Sequence, residues 1–305
     1  MEHILEVDNL CKAYPDTTFM LNNVSFNVCK GTIVGLVGKN GAGKSTTIKS
    51  ILNIINRDSG NVKLFGKDTK DDITNELNNI AVVFDAINFN KELTPKKLEK
   101  VLSDIYINWD KQIYYNFLNR FQIPCDKKIE SFSRGMTMKL SISVCLSHKA
   151  NLLILDEATS GLDPVAREEV LDIFLEFVED ENNAILMSSH ISSDLEKIAD
   201  YILIIDNGEI VLNEAKDKLL YDYGIARIKQ RDFDNIDKSE YITFRKRGLQ
   251  YEVLTDNKKY FIKKHPNMVV DNTSLDEILA LLTIVSNDLW KNEPKKKGSN
   301  EPWKL

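Results

Sequence analysis

The chain predicts an α/β fold: a parallel sheet at its centre, an antiparallel sheet ahead of it, a helical insertion and a small α+β appendage. Three observations carry this. The runs Thr32 to Val37, Leu152 to Leu155 and Ala184 to Met187 are continuously apolar, as strands buried on both faces of a parallel sheet are. The first run leads into Gly38-Lys39-Asn40-Gly41-Ala42-Gly43-Lys44-Ser45-Thr46 and a helical segment from Thr47 to Ile55, so strand, glycine loop, lysine, hydroxyl and helix follow in order. The other two runs lead into residues capable of chemistry, the carboxylates Asp156-Glu157 and, after Ser188-Ser189, His190.

The bulk composition sets bounds. The 305 residues, 43% hydrophobic and 28% charged, suit a soluble globular protein of one large or two ordinary domains. A net charge of -6 argues against a nucleic-acid partner. Apolar runs such as Asn151 to Leu155 and Ile278 to Val285 fall short of the ~18 residues a membrane span needs, and the start Met1-Glu2-His3-Ile4 carries no secretory pattern. Cys11, Cys29, Cys125 and Cys145 lack C-x-x-C spacing, which reads as reduced structural thiols of a cytosolic protein.

In chain order, Ile4 to Val7 and Val24 to Val28 alternate as half-buried strands, with Leu10 to Pro15 between them. Tyr14 is placed to stack on a nucleotide base, an ordinary buried tyrosine being the alternative. In the glycine loop, G-x-x-x-x-G-K-[ST], backbone N–H groups close around phosphate oxygens and the helix N-terminus adds its positive dipole end. Asp58-Ser59-Gly60 turns into a strand from Asn61 to Phe65, and a further strand, Ile80 to Phe84, stops at Asp85. Helical spacing then runs from Leu93 to Tyr106, Trp109 to Phe121 and Arg134 to Leu146. The last of these opens on Ser133-Arg134-Gly135-Met136, which serves either as an anion seat or simply as a serine cap.

Adjacent acids, Asp156 and Glu157, at the carboxyl end of a buried strand stand where open α/β sheets hold their ligands, and one can serve magnesium while the other polarises water. Ser160 to Pro164 open a helix from Val165 to Val178. His190 ends a third strand, as a site residue or a structural histidine. Ile202 to Ile205 and Glu209 to Leu212 form a hairpin about Asn207-Gly208, followed by a helix from Glu214 to Tyr221. Ala226 to Ile228, Tyr241 to Phe244, Tyr251 to Leu254 and Tyr260 to Lys263 read as short strands, Leu275 to Leu289 as an amphipathic helix, and Glu293 to Asn300, with Lys295 to Lys297, as a solvated tail.

With these residues in place, the stretch Ile4 to Tyr223 resembles the ATP-binding subunits of ABC transporters. Tyr14 matches the aromatic loop on adenine, Gly38 to Thr46 Walker A, Ser133 to Met136 the signature, Leu152 to Glu157 Walker B, Ser160 to Asp163 the D-loop and His190 the switch histidine. The resemblance implies a P-loop NTPase with a RecA-like parallel core at residues 1–223, a helical subdomain at about 88–148, an α+β accessory domain at 224–292 and a flexible tail at 293–305. It implies ATP hydrolysis with Mg2+. Gly38, Asn40, Gly41, Ala42, Gly43, Lys44, Ser45 and Thr46 would hold the phosphates, Ser45 and Asp156 the metal, and Glu157 the attacking water, while His190 would sense the γ-phosphate.

One phosphate loop and one signature per chain imply a second ATPase subunit, a homodimer in the simplest case, whose Ser133 and Gly135 close the site in trans. A separate multi-span permease, facing the region around Ile87 to Leu102, implies a peripheral position on the inner face of the cell membrane. A soluble ABC ATPase of assembly or regulation, without a permease, is the competing reading.

Two departures stand out. The signature reads Phe-Ser-Arg-Gly-Met, where the family usually has Leu-Ser-Gly-Gly-Gln, and such basic variants resemble the export branch that moves drugs, antimicrobial peptides or lipids. The family's glutamine after the strand Ile80 to Phe84 is here Asp85, a hard oxygen donor expected to contact magnesium or water.

Overall fold

A computed structural model describes residues 2–15, 17–85 and 89–284. The chain opens with β1 (His3–Ala13), β2 (Met20–Cys29) and β3 (Ile33–Val37), then α1 (Lys44–Ile51), β4 (Ser59–Leu64), β5 (Lys67–Asp68), α2 (Thr74–Leu77) and β6 (Ile80–Val83). Helices α3 (Pro95–Ile105), α4 (Lys111–Arg120) and α5 (Arg134–Leu146) follow. Next come β7 (Leu152–Asp156), α6 (Pro164–Val178), β8 (Ala184–Ser189), α7 (Ser192–Ile198), β9 (Tyr201–Asp206), β10 (Glu209–Ala215) and α8 (Lys216–Tyr221). The last portion holds β11 (Gly224–Lys229), α9 (Gln230–Phe233), β12 (Thr243–Arg247), β13 (Gln250–Thr255), α10 (Lys258–Lys264), β14 (Val270–Asp271) and α11 (Leu275–Ile284).

The central sheet has the order β10-β9-β3-β8-β7-β6 and is parallel from β9 to β6, with β10 returning antiparallel at the edge. Its continuous apolar runs have a direct cause. Leu152 and Ile154 face the antiparallel sheet β2-β1-β4-β5, while Leu153 and Leu155 face the helices, so successive residues enter two different cores. The helical core gathers Leu98 and Leu102 of α3, Tyr114 and Leu118 of α4, and Met138 and Leu140 of α5. Helix starts follow local chemistry. The Thr94, Asp110, Ser133 and Asp163 side chains each accept from backbone N–H groups of the helix they precede, and Pro95 and Pro164 occupy first-turn positions that need no donor.

Several elements differ from the sequence reading. Strand β1 continues through Leu10 to Ala13, where a connection is expected, because shifts of register after Val7 and Leu10 let it keep pairing with β2. Tyr260 to Lys263 lie in helix α10 and not in a strand: Asn257 caps the helix by accepting from Tyr260 N, and Phe261 is its buried residue. Residues 214 and 215 belong to β10, so the helix that follows starts at Lys216. The described part of the amphipathic C-terminal helix is Leu275–Ile284; its expected extension to Leu289, Ile87 and the tail with Lys295 to Lys297 lie outside the described residues.

The last portion forms a third sheet, β12-β13-β11-β14, with a small core around Ala226, Val253 and Phe261. It is also continuous with the main core: Ile225, Leu254, Leu275, Ile278 and Leu281 pack in the same cluster as Leu195 and Ile198 of α7. Ser192 Oγ donates to Asp276 and Leu275 N donates to Glu196, which ties α11 to the helix that begins just after His190. Among the described residues, no helix is long and apolar enough to cross a membrane.

Candidate active site

Three strand ends converge on the loop between β3 and α1. Gly38 and Gly43 are demanded by close approach: a Cβ at Gly38 would stand 2.4 Å from the Ile205 carbonyl oxygen, and one at Gly43, with φ +119°, 2.8 Å from Leu21 Cδ2. Strands β9 and β2 thus press the loop into shape from both sides. The Lys44 ammonium, on a side chain only 6% exposed, donates to Gly38 O at 2.7 Å and lies 3.3 Å from Glu157 Oε1. Lys39 and Asn40 are exposed, and Ser45 and Thr46 are half-buried. Lys39, Asn40, Gly41 and Ala42 line a cleft of about 160 Å³ together with Asp206, Asn207 and Thr283 of α11.

At the end of β7, Asp156 is buried and accepts from Ser188 Oγ at 2.6 Å. The cause is register: Asp156 and Ser188 are partners in the parallel pairing of β7 with β8. Glu157 adopts a left-handed backbone, φ +58°, a strain of about 1–3 kcal/mol. Its N–H donates to Ser188 O at 3.1 Å and Ser188 Oγ at 3.3 Å, which holds that conformation. The turn swings the Glu157 carboxylate toward Lys44 and His190: His190 N donates to Oε2 at 3.2 Å and His190 Nδ1 is bonded to the same oxygen. Lys44, Glu157 and His190, far apart in sequence, are thus linked by an ion pair on one side of the carboxylate and hydrogen bonds on the other.

The remaining expected residues are placed as follows. Ser133 caps α5, accepting from Met136 N at 3.2 Å, and Gly135 lies in the first turn. Tyr14 is half-buried at the end of β1, with the Lys12 ammonium 5.7 Å from its ring centroid. Phe19, not anticipated, touches the loop itself, since a Cβ at Gly43 would be 3.2 Å from Phe19 Cζ. The Asp85 carboxylate, about half exposed, is ion-paired with Arg134. Ser188 was missed as a site residue, because only the register of two strands unites it with Asp156.

No cluster of three or more metal-ligating His, Cys, Asp or Glu side chains occurs among the described residues. The hydroxyl of Ser45 and the carboxylate of Asp156 are nevertheless the hard oxygen donors that fit magnesium, which takes one or two protein ligands and completes its shell with phosphate and water. The cysteines are unpaired, and burial pushes the Cys145 thiol up to about 12, which keeps it protonated and inert.

A phosphate loop between strand and helix, facing a buried carboxylate and a strained glutamate on a neighbouring strand, defines an α/β nucleoside-triphosphate-binding protein of the P-loop class. The ABC transporter family profile matches residues 21–160. The bacitracin transport ATP-binding protein BcrA of Enterococcus faecalis is 32% identical over 213 residues, 69% of each chain. The lantibiotic transport ATP-binding protein SrtF of Streptococcus pyogenes is 34% identical over 216 residues, 70% of this chain and 92% of the relative. A solved ATP-binding subunit of an ABC transporter superposes with a TM-score of 0.65 at 27% identity, over 76% of this chain and 93% of that one. The chain belongs to the ABC transporter family, among its ATP-binding proteins.

Proposed function

We propose that the chain hydrolyses ATP with magnesium to drive a separate membrane permease that exports an antimicrobial peptide or a chemically similar compound. The arrangement of Glu157 carries this reading: a strained backbone at the end of β7 points its carboxylate at Lys44 and His190. In the proposed reaction Lys44 exchanges Glu157 for the β- and γ-phosphate oxygens, and the N–H groups of Gly41 to Thr46 complete the cradle. Glu157 then accepts a proton from the attacking water. Ser45 and Asp156 would hold magnesium, which when bound offsets the charge on the phosphates. Tyr14 would stack on adenine, and His190 would report loss of the γ-phosphate. Ser133 and Gly135 would complete the site of a second copy, in keeping with the exposure of Ser133.

Residues 1–223 would be the ATPase unit and 224–292 an accessory domain resting on it, in keeping with the core they share. The cargo class follows the names of the relatives, bacitracin and lantibiotic transport proteins, together with the basic residue in the signature. Affinity purification of the chain from detergent-solubilised membranes tests the reading. A multi-span membrane protein should co-purify; exclusively soluble partners would sink it in favour of a soluble ABC ATPase.

A further inference from the structure

Asp85 and Arg134, two of the positions at which the chain departs from the family pattern, meet in space across 49 residues of sequence. Arg134 Nη2 donates to Asp85 Oδ1 and, at 3.0 Å, to Ser160 Oγ. The stem of the same side chain lies against Gly161, where a Cβ would be 3.0 Å from Arg134 Cδ; a Cβ at Gly135 would be 3.3 Å from Gly161 O. Ser160 N in turn donates to Glu157 O at 3.0 Å. One guanidinium therefore joins the end of β6, the first turn of α5 and the turn that carries Glu157.

Charge explains why the two residues belong together. Arg134 is the first residue of α5, at the positive end of the helix dipole, and α5 has no acidic residue in its first turn. A cation there is disfavoured unless an anion is supplied from outside the helix, which Asp85 does and a glutamine would not. Both side chains are about half exposed, 57% and 51%, so the pair contributes little to global stability. Its consequence is geometric.

We propose that Asp85 and Arg134 are a positioning pair that holds the first turn of α5, with Ser133 and Gly135, in fixed register against the turn that carries Glu157. The surface offered to a second copy's nucleotide and the base acting on the chain's own nucleotide are thereby set by one clasp. Its effect on turnover rests on the function proposed above; the clasp itself does not.

The test uses the full chain with Asp85→Asn, Arg134→Gln and the double variant. Amide hydrogen exchange at Met136 and Thr137, whose N–H groups are held by Ser133 Oγ and Ser133 O, reads the first turn of α5 without nucleotide. Each single variant should exchange about 2- to 5-fold faster there, and the double no faster than the singles. In ATP turnover each single should lower kcat on the order of 10-fold with KM little changed, and Asp85→Glu and Arg134→Lys should recover part of it. Unchanged exchange in both singles, or effects that add in the double, overturns the pair whatever turnover does. Altered exchange with wild-type kcat removes its positioning role. A wild-type chain that turns over no ATP sinks the proposed function, and exchange alone then decides the clasp.

Discussion

The two faces of the site are built by opposite means. Around the phosphate loop, Lys44 at the start of α1 and Asp156 and Ser188 at the ends of parallel strands are buried, and each has a hydrogen-bond partner or ion-pair partner within the chain. Around the start of α5, Ser133, Arg134 and Asp85 are exposed and held by side-chain charge and a helix cap. Charges out of water are strong when satisfied and costly when broken, whereas exposed pairs are screened and weak. The first face is fixed by buried contacts; the second is held at the surface by weak ones.

The sharpest way to break that contrast is Glu157→Gln. The shape and the contact to His190 are kept, but the basic carboxylate and its pairing with Lys44 are lost. Turnover should fall by at least about 10²-fold, while ATP binding persists and an ATP-bound dimer accumulates, read by a coupled phosphate assay and by light scattering after size exclusion. Undiminished steady-state hydrolysis would remove Glu157 from its role. Ser188→Ala comes next. It strips the donor from buried Asp156 and one acceptor from Glu157 N, so it should lower kcat about 10-fold and destabilise the fold by about 1.5–3 kcal/mol. Ser188→Thr, which restores the hydroxyl, should recover most of both, measured by turnover and by urea unfolding.

The buried face is also the one the sequence discloses. Continuous apolar runs that end in Asp156-Glu157 and in Ser188-Ser189-His190 are legible because burial on both sides of a strand leaves a local signature. The motif of the phosphate loop is local as well. What stayed hidden depends on pairing across distance: the Asp156 and Ser188 register, the contact of Arg134 with Asp85, and the position of Thr283 beside Gly41 and Ala42. Leu10 to Ala13 and Tyr260 to Lys263 failed for a different reason, since a register shift and an asparagine cap overrode the local pattern of alternation.

A smaller effect tests whether the exposed face is anchored at its far end. Helix α5 carries Ser133 and Arg134 at its start, and just beyond its last turn His148 is buried, stacked on Tyr106 with ring centroids 4.1 Å apart and its Nε2 3.1 Å from Ile80 O on β6. Burial is the main cause that holds this imidazole below its ordinary value, against opposing hydrogen bonds to Ile80 and Val144. The folded chain therefore keeps the ring neutral at a pH where the unfolded chain binds a proton. The stabilisation from this group is complete above the unfolded value of about 6.5 and is lost as pH falls toward the folded value. The thermal midpoint should drop between pH 7.5 and pH 5, within the window about 6.5 sets, and His148→Gln should narrow that drop by about 2 °C. The same variant should raise exchange near the end of α5 more than at Met136. If the pH dependence of the midpoint is identical in the two proteins, His148 does not anchor the helix, and the exposed face depends on Asp85 and Arg134 alone.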